Sequence, residues 1–280
     1  MLLRHLMQKT AKAEIVDQRD EDLGVTRALA STLGRGEGLL SALLINPRHP
    51  IRSLDALPKE KAEKVLALMQ KKFPGKLDDV RVNLGGSDVK DTIIRAMENE
   101  RRLPGLRVLE AVTQGGTAPL LSAMGRSDHF NPLSNTIDSY MGDEGVLAHE
   151  LGHAVDINDI GDRYGRLARL GYEYSRIIPG ANLIQEYRAS KNAIKAVGED
   201  PEAERRYWNV LAPAFGTYAG GAGALLHHYL DPAKTDKTMA KRGLGYLLGG
   251  VAAGHGVAAL RNALAKKDKK KDNDKKKSKK

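Results

Sequence analysis

Residues 149–153 read His-Glu-Leu-Gly-His, and this spacing constrains the fold of the chain more than any other feature. Residues four apart lie on the same face of an α-helix, so both imidazoles can approach one metal ion. Outside the motif, residues 146–155 carry no charged side chain, which is typical of a helix buried beneath a cleft. Asp143 is the predicted N-cap of this helix, and Gly161 is its predicted end.

His149 and His153 are therefore the candidate metal ligands, and Glu150 is the candidate general base because it directly follows the first histidine. Catalytic zinc takes three protein ligands and leaves one coordination position open. It lowers the pKa of a coordinated water towards about 7, and a nearby carboxylate can then accept the proton. The chain contains no cysteine, which leaves histidine and carboxylate side chains as possible ligands.

Two aspartates on the same predicted helix compete for the place of third ligand. Asp159 stands where the metzincin pattern places a ligand, but residue 156 is aspartate where that pattern has the glycine of a sharp turn. Asp156 lies one turn beyond His153, and a straight helix would carry its side chain away from the ion. We therefore expect Asp156 to support or cap the site rather than to bind the metal.

Glu186 is the better candidate for the third ligand. The dipeptide at 179–180 and Gly198 bound a predicted helix over residues 182–197. Glu186 shares a face of this helix with small or apolar side chains, which suits close packing against another helix. These side chains are Ala189, Ala193 and Val197.

The two segments together resemble the gluzincins, which are zinc peptidases with a glutamate ligand on a second helix. The form Glu186-x-x-Ala189-Ser190 is most similar to the neutral zinc metallopeptidases of the YugP type, which are relatives of the HtpX-like peptidases. The apolar segment 214–219, which contains Thr-Tyr, also matches a segment of YugP-like proteins. The resemblance covers about residues 128–262.

This resemblance implies a zinc-dependent endopeptidase with Zn²⁺ bound by His149, His153 and Glu186. Glu150 would be the catalytic base, and a peptide or protein would be the substrate. An electrophilic side chain should stabilise the oxyanion. The candidates for that role, among which the sequence does not decide, are Tyr140, Tyr187 and Arg188.

The predicted fold class is α+β and mainly helical, with a zincin-like core, a small sheet and a C-terminal glycine-rich helical hairpin. Residues 135–140 alternate and contain β-branched side chains, so they predict the edge strand beside the motif helix. We divide the chain into a mainly helical N-terminal region, the peptidase core, the hairpin and a disordered lysine-rich tail. Their respective bounds are 1–105, 106–206, 207–262 and 263–280. Helices are predicted at 58–72 and 88–102.

The predicted hairpin consists of two uncharged stretches, residues 207–230 and 243–260, joined by a loop over 231–242. Each is about the length that crosses a bilayer as a helix, roughly 20 residues. Each contains glycines four residues apart, a spacing that lets helices approach closely in lipid. These pairs are Gly216/Gly220, Gly245/Gly249 and Gly250/Gly254. We therefore expect membrane association through residues 207–262.

Charge is concentrated at the C-terminal end of the chain. Residues 266–280 contain ten lysines and three aspartates and supply +7 of the net charge of +10. This tail is expected to solubilise the chain or to contact anionic lipid or nucleic acid. The positive-inside rule predicts a cytoplasmic tail, but the predicted loop is basic as well, so the sequence leaves the orientation in the membrane open. The basic residues of the loop are Lys234, Lys237, Lys241 and Arg242. No signal peptide is predicted. The rival hypothesis is a non-enzymatic, membrane-associated structural protein, for example of a viral or phage particle, on a zincin-like scaffold.

Overall fold

The computed structural model describes residues 13–17, 57–85, 89–108, 128–140, 142–175, 178, 180–198, 200–230 and 236–277. This part of the chain is mainly helical and contains a small mixed sheet. In chain order, its elements are β1 (Glu14–Asp17), α1 (Lys59–Lys72), β2 (Arg81–Leu84), α2 (Val89–Glu98), β3 (His129–Asn131), β4 (Thr136–Ser139), α3 (Glu144–Tyr164), α4 (Arg166–Tyr174), α5 (Ala181–Val197), α6 (Pro201–Leu230) and α7 (Asp236–Lys277). The α+β class is confirmed.

The four strands form one sheet in the order β1-β2-β4-β3. β1, β2 and β4 run parallel, while β3 is antiparallel to β4. Val82, Asn83 and Leu84 of β2 are all fully buried, so both faces of this strand are covered. The predicted strand at 135–140 is confirmed as β4, but its edge position is wrong. β3 covers the outer side of β4 and is itself an edge of the described sheet.

One hydrophobic core joins the sheet to the helices. It includes Leu66 and Met69 of α1, Leu147 and Leu151 of α3, and Leu211 of α6. The sheet and this core both contain residues from before and after position 105, where the sequence predicts a domain boundary. β1 and β2 come from the N-terminal region but pair with β2 and β4 respectively, so that region contributes to the same packed unit.

Helix α3 runs past the predicted end at Gly161 and stops at Tyr164. Gly161 lies against the side chain of Arg169, and a Cβ there would sit 3.3 Å from Arg169 Cδ. The helix ends instead at Gly165, whose φ of +86° disfavours other residues. Glycine at 161 therefore permits a close side-chain contact rather than a break in the helix.

The C-terminal hairpin is formed by α6 and α7, which pack at backbone distance. A Cβ on Gly216 would lie 2.1 Å from the carbonyl oxygen of Gly250, and one on Gly254 would lie 2.3 Å from that of Ala212. Gly245 has open space beside it, as does Gly249. Two of the three predicted glycine pairs thus form the helix contact, while the third faces away from it.

Helix properties differ from the sequence prediction in the hairpin and in the N-terminal region. Among the described residues, one helical stretch, Lys241–Ala265, is long and apolar enough to cross a membrane. Helix α6 does not combine the length and the apolar composition that this requires. Helix α7 begins at Asp236, inside the predicted loop, and continues through the predicted disordered tail as far as Lys277. The predicted helix at 88–102 ends earlier, at Glu98.

Candidate metal centre

Helix α3 positions both histidines and the glutamate between them. Its first turn is capped by Asp143, whose carboxylate accepts hydrogen bonds from the backbone N–H groups of Gly145 and Val146. His149 and His153 follow one turn apart, with ring centroids separated by 4.7 Å. Both are buried, which confirms the burial expected from the uncharged flanks of the motif.

Helix α5 brings Glu186 to the two histidines. Oε2 of Glu186 lies 2.9 Å from Nε2 of His149 and 3.2 Å from Nε2 of His153. One donor atom from each residue lies within 4.8 Å of the others, and all three residues are buried. The three side chains therefore form a group that could hold a metal ion.

The close approach of α3 and α5 depends on small residues at their contact. A Cβ on Gly152 would lie 2.3 Å from the carbonyl oxygen of Ala189, so residue 152 must lack a side chain for the helices to sit this close. The Asn192 side chain also donates a hydrogen bond of 3.2 Å to the carbonyl oxygen of Gly152. Gly152 thus sets the distance between the helices that carry the histidines and Glu186.

The donor set fits a small dication. Atoms bound to a tetrahedral zinc at about 2.0–2.1 Å are roughly 3.3 Å apart, close to the two observed separations between nitrogen and oxygen. Two imidazoles and one carboxylate also match the ligand types of catalytic zinc sites. The separations of the Glu186 oxygen from the two histidine nitrogens are thus compatible with binding of one ion.

The competing aspartates lie outside this group. Asp159 forms ion pairs with Lys76 at 3.0 Å and with Arg163 at 2.9 Å. Asp156 accepts hydrogen bonds from the Tyr172 hydroxyl and, at 2.6 Å, from Arg188 Nε. Asp156 therefore links α3 to α4 and α5, which agrees with the supporting role expected for it.

Ser190 contacts Nδ1 of His149, a role that the sequence motif does not reveal. Its Oγ lies 3.1 Å from Nδ1 of His149. When Nε2 binds a metal, Nδ1 carries the proton and can donate a hydrogen bond to the serine oxygen. The available sequence signal is the spacing, because Ser190 lies one turn after Glu186 and shares its side of α5.

Glu150 is held by the edge strand. The backbone N–H of Phe130 in β3 donates a hydrogen bond of 2.7 Å to Oε2 of Glu150. Burial raises the pKa of Glu150 to about 7, although the neighbouring His149 acts in the opposite direction. A dication at the ligands would lower this pKa, because positive charge favours the carboxylate.

Glu186 has the opposite electrostatic balance. Burial disfavours its charged form, but the contacts with His149 and His153 outweigh that effect and hold the pKa of Glu186 well below its usual range. Glu186 is therefore ionised at neutral pH, as a metal-binding carboxylate must be.

The three candidates for oxyanion stabilisation occupy different surroundings. Tyr187 is exposed, with Lys191 Nζ 5.8 Å from its ring centroid. Arg188 is paired with Asp156, and the backbone N–H of Tyr140 donates to Asp128. None of these contacts identifies an oxyanion-stabilising side chain.

Comparison of the chain with known protein families, curated proteins and solved structures finds no match.

Proposed function

We propose that this protein is a zinc-dependent endopeptidase of the gluzincin type. The observation that carries the proposal is the convergence of His149, His153 and Glu186 from two helices, with Glu150 buried beside them. The donor types and separations favour zinc among metal ions. An open coordination position would then be available to a water and to the scissile carbonyl.

The arrangement of strands supports a zincin-like core. β3 is an antiparallel edge strand, and its backbone contacts Glu150 on the motif helix. An extended substrate could pair with such an edge by strand addition, which would bring its backbone close to the metal.

Each residue has a separate part in the proposed reaction. Zinc held by the three ligands would supply Lewis acidity to the scissile carbonyl and to the attacking water. Glu150 would accept the proton of that water and transfer it to the leaving amine. The Phe130 N–H fixes one Glu150 oxygen, and Ser190 orients the imidazole of His149.

The Glu150→Gln variant tests the assignment of the base. We expect it to bind zinc like the parent protein and to cleave an unfolded protein such as casein at least about 100-fold more slowly, because a glutamine side chain cannot accept the proton. Zinc content and initial cleavage rate would be measured on the same preparation. A zinc-loaded variant that cleaves at the parent rate would refute the proposed mechanism.

The ligand set is tested by comparing Glu186→Gln with Asp159→Asn. The first variant loses the carboxylate that contacts both histidines, and we expect zinc below stoichiometric amounts after gel filtration. The second removes the carboxylate that pairs with Lys76 and Arg163, and we expect stoichiometric zinc. The reverse pattern would assign the third ligand to Asp159. Stoichiometric zinc without cleavage would favour a structural role for the protein.

We further propose that the hairpin of α6 and α7 associates the protein with a membrane. Its support is the apolar stretch Lys241–Ala265 together with the close glycine contacts between the two helices. We expect the protein to remain in the pellet after high-salt and alkaline washing of membranes. Release by high salt alone would contradict insertion.

A further inference from the structure

Helix α4 has its charged side inside and its apolar side outside. Arg169 is 1% exposed and Glu173 is 8% exposed. They pair with each other at 2.8 Å, and Arg102 also contacts Glu173. By contrast, Leu167 and Tyr174, seven residues apart on one face, are 72% and 54% exposed. This arrangement is the reverse of an ordinary surface helix.

Helix α5 follows α4 in the chain and also exposes apolar side chains. The Gln185 side chain donates to the carbonyl oxygen of Tyr172 at 2.6 Å and to Ser175 Oγ at 3.0 Å, which joins the end of α4 to the start of α5. Exposed apolar and aromatic side chains lie at the end of α3, along α4, in the following turn and along the first half of α5. We call them the α4–α5 apolar surface: Tyr164, Leu167, Tyr174, Ile178, Ile184 and Tyr187.

Basic side chains accompany this surface, and acidic ones do not. All residues of α4 and α5 are described, and their acidic residues, Glu173 and Glu186, are both buried. Exposed cations lie on the same two helices at Arg166, Lys191 and Lys195, while the half-exposed Arg188 is paired with Asp156. Asp162 at the end of α3 is exposed but is paired with Lys76 and Arg101.

We propose that the α4–α5 apolar surface docks onto an anionic lipid bilayer. Leucine, isoleucine and tyrosine side chains would enter the headgroup region while the neighbouring cations contact lipid phosphates. The positive charge argues against a second copy of the chain as the occupant. A two-fold interface would place the same cations of both copies against each other and repel them.

This inference rests on the proposed membrane association and is independent of peptidase activity. Tyr187 is adjacent in the chain to Glu186, so the docked surface borders the candidate metal centre. Binding would hold the site next to the bilayer rather than at the end of a free tether. It adds a second contact with the membrane beside α7.

The experiment uses the absence of cysteine from the chain, because one introduced cysteine gives one labelled position. The full chain would carry an environment-sensitive NBD fluorophore at Leu167→Cys, with Leu260→Cys on α7 as the label for insertion. An exposed position on α1, Glu63→Cys, is the control. Each protein would be mixed with vesicles of phosphatidylcholine alone or with added phosphatidylglycerol.

We expect the Leu167 label to shift to the blue and to gain at least about twofold in intensity with phosphatidylglycerol vesicles, but not with phosphatidylcholine alone. The Glu63 label should not change. Combining the Leu167 label with Arg166→Gln and Lys191→Gln should weaken the response, because these substitutions remove two of the cations that would meet the lipid phosphates.

Three results would overturn the inference. A response at Leu260 without one at Leu167 would restrict membrane contact to α7 and leave the proposed membrane association intact. No response at either position would refute both proposals. A shift at Leu167 that depends on protein concentration and needs no vesicles would show that a second copy covers the surface.

Discussion

At the scale of single residues, the candidate metal centre depends on groups that contact a candidate ligand or the candidate base without belonging to the ligand set. Ser190 Oγ lies against Nδ1 of His149, while the Phe130 N–H holds Glu150. Such contacts fix the orientation of an imidazole or carboxylate before the metal arrives, and their loss commonly lowers metal affinity 10- to 100-fold. His153 and His149 share the same carboxylate oxygen, so misorientation of one would disturb both.

Replacing Ser190 with alanine tests this contact. We expect the dissociation constant for zinc to rise about 10-fold, because Nδ1 of His149 loses its acceptor. The constant would be measured by competition with a fluorescent chelator. Ser190→Thr keeps the hydroxyl and should restore most of the affinity, whereas equal affinities for the parent and Ser190→Ala would deny the serine this role.

At the scale of elements, the distance between α3 and α5 decides whether the donors meet. Gly152 and Ala189 touch at backbone distance. On α3 the two histidines lie on either side of that contact, and on α5 Glu186 lies about one turn before it. Helix α3 also continues past Gly161, where Asp162 forms ion pairs with Lys76 and Arg101. The element boundaries therefore follow from side-chain contacts between helices as well as from local sequence preference.

Gly152→Ala should separate the two helices. Its methyl group would meet the carbonyl oxygen of Ala189, and overpacking of this kind costs about 1–3 kcal/mol. We expect lower stability in urea together with weaker zinc binding, since Glu186 moves away from the histidines. The matched control is Gly171→Ala on α4, where nothing lies within 4 Å of the added Cβ. Equal losses in both variants would contradict the predicted contact.

At the scale of the whole molecule, α6 connects the core to the hairpin. Tyr207 and Leu211 belong to the core, while Gly216 and Gly220 further along the same helix contact α7. Arg261 of α7 lies over the ring of Trp208, 4.6 Å from its centroid, and thereby adds a contact near the core. The hairpin is thus a continuation of the packed structure through a single long helix.

Two neighbouring glycines of α7 provide a matched test of this packing. A Cβ on Gly250 would lie 2.0 Å from the carbonyl oxygen of Gly216, whereas Gly249 has open space. We expect Gly250→Ala to destabilise the hairpin by about 1–3 kcal/mol and Gly249→Ala to leave it unchanged or slightly more stable. Unfolding in mixed micelles with increasing SDS would measure the difference. Similar midpoints for both variants would argue against the contact.

Local spacing of residues is enough to predict several features of this chain. The four-residue interval placed His149 and His153 on one helical face, and the small residues after Glu186 predicted its close helix contact. Both follow from the period of an α-helix, which is a property of neighbouring residues. The strand at 135–140 and the helix at 182–197 were predictable for the same reason.

Tertiary packing determines which distant elements meet. It placed β3 outside β4, joined the N-terminal strands to the same sheet, and paired Ser190 with His149. It also turned the charged side of α4 inwards, because Asn158 pairs with Arg169 there. Arg102 likewise pairs with Glu173. Such pairings depend on groups far apart in the chain, and buried polar groups become favourable only when those partners are present.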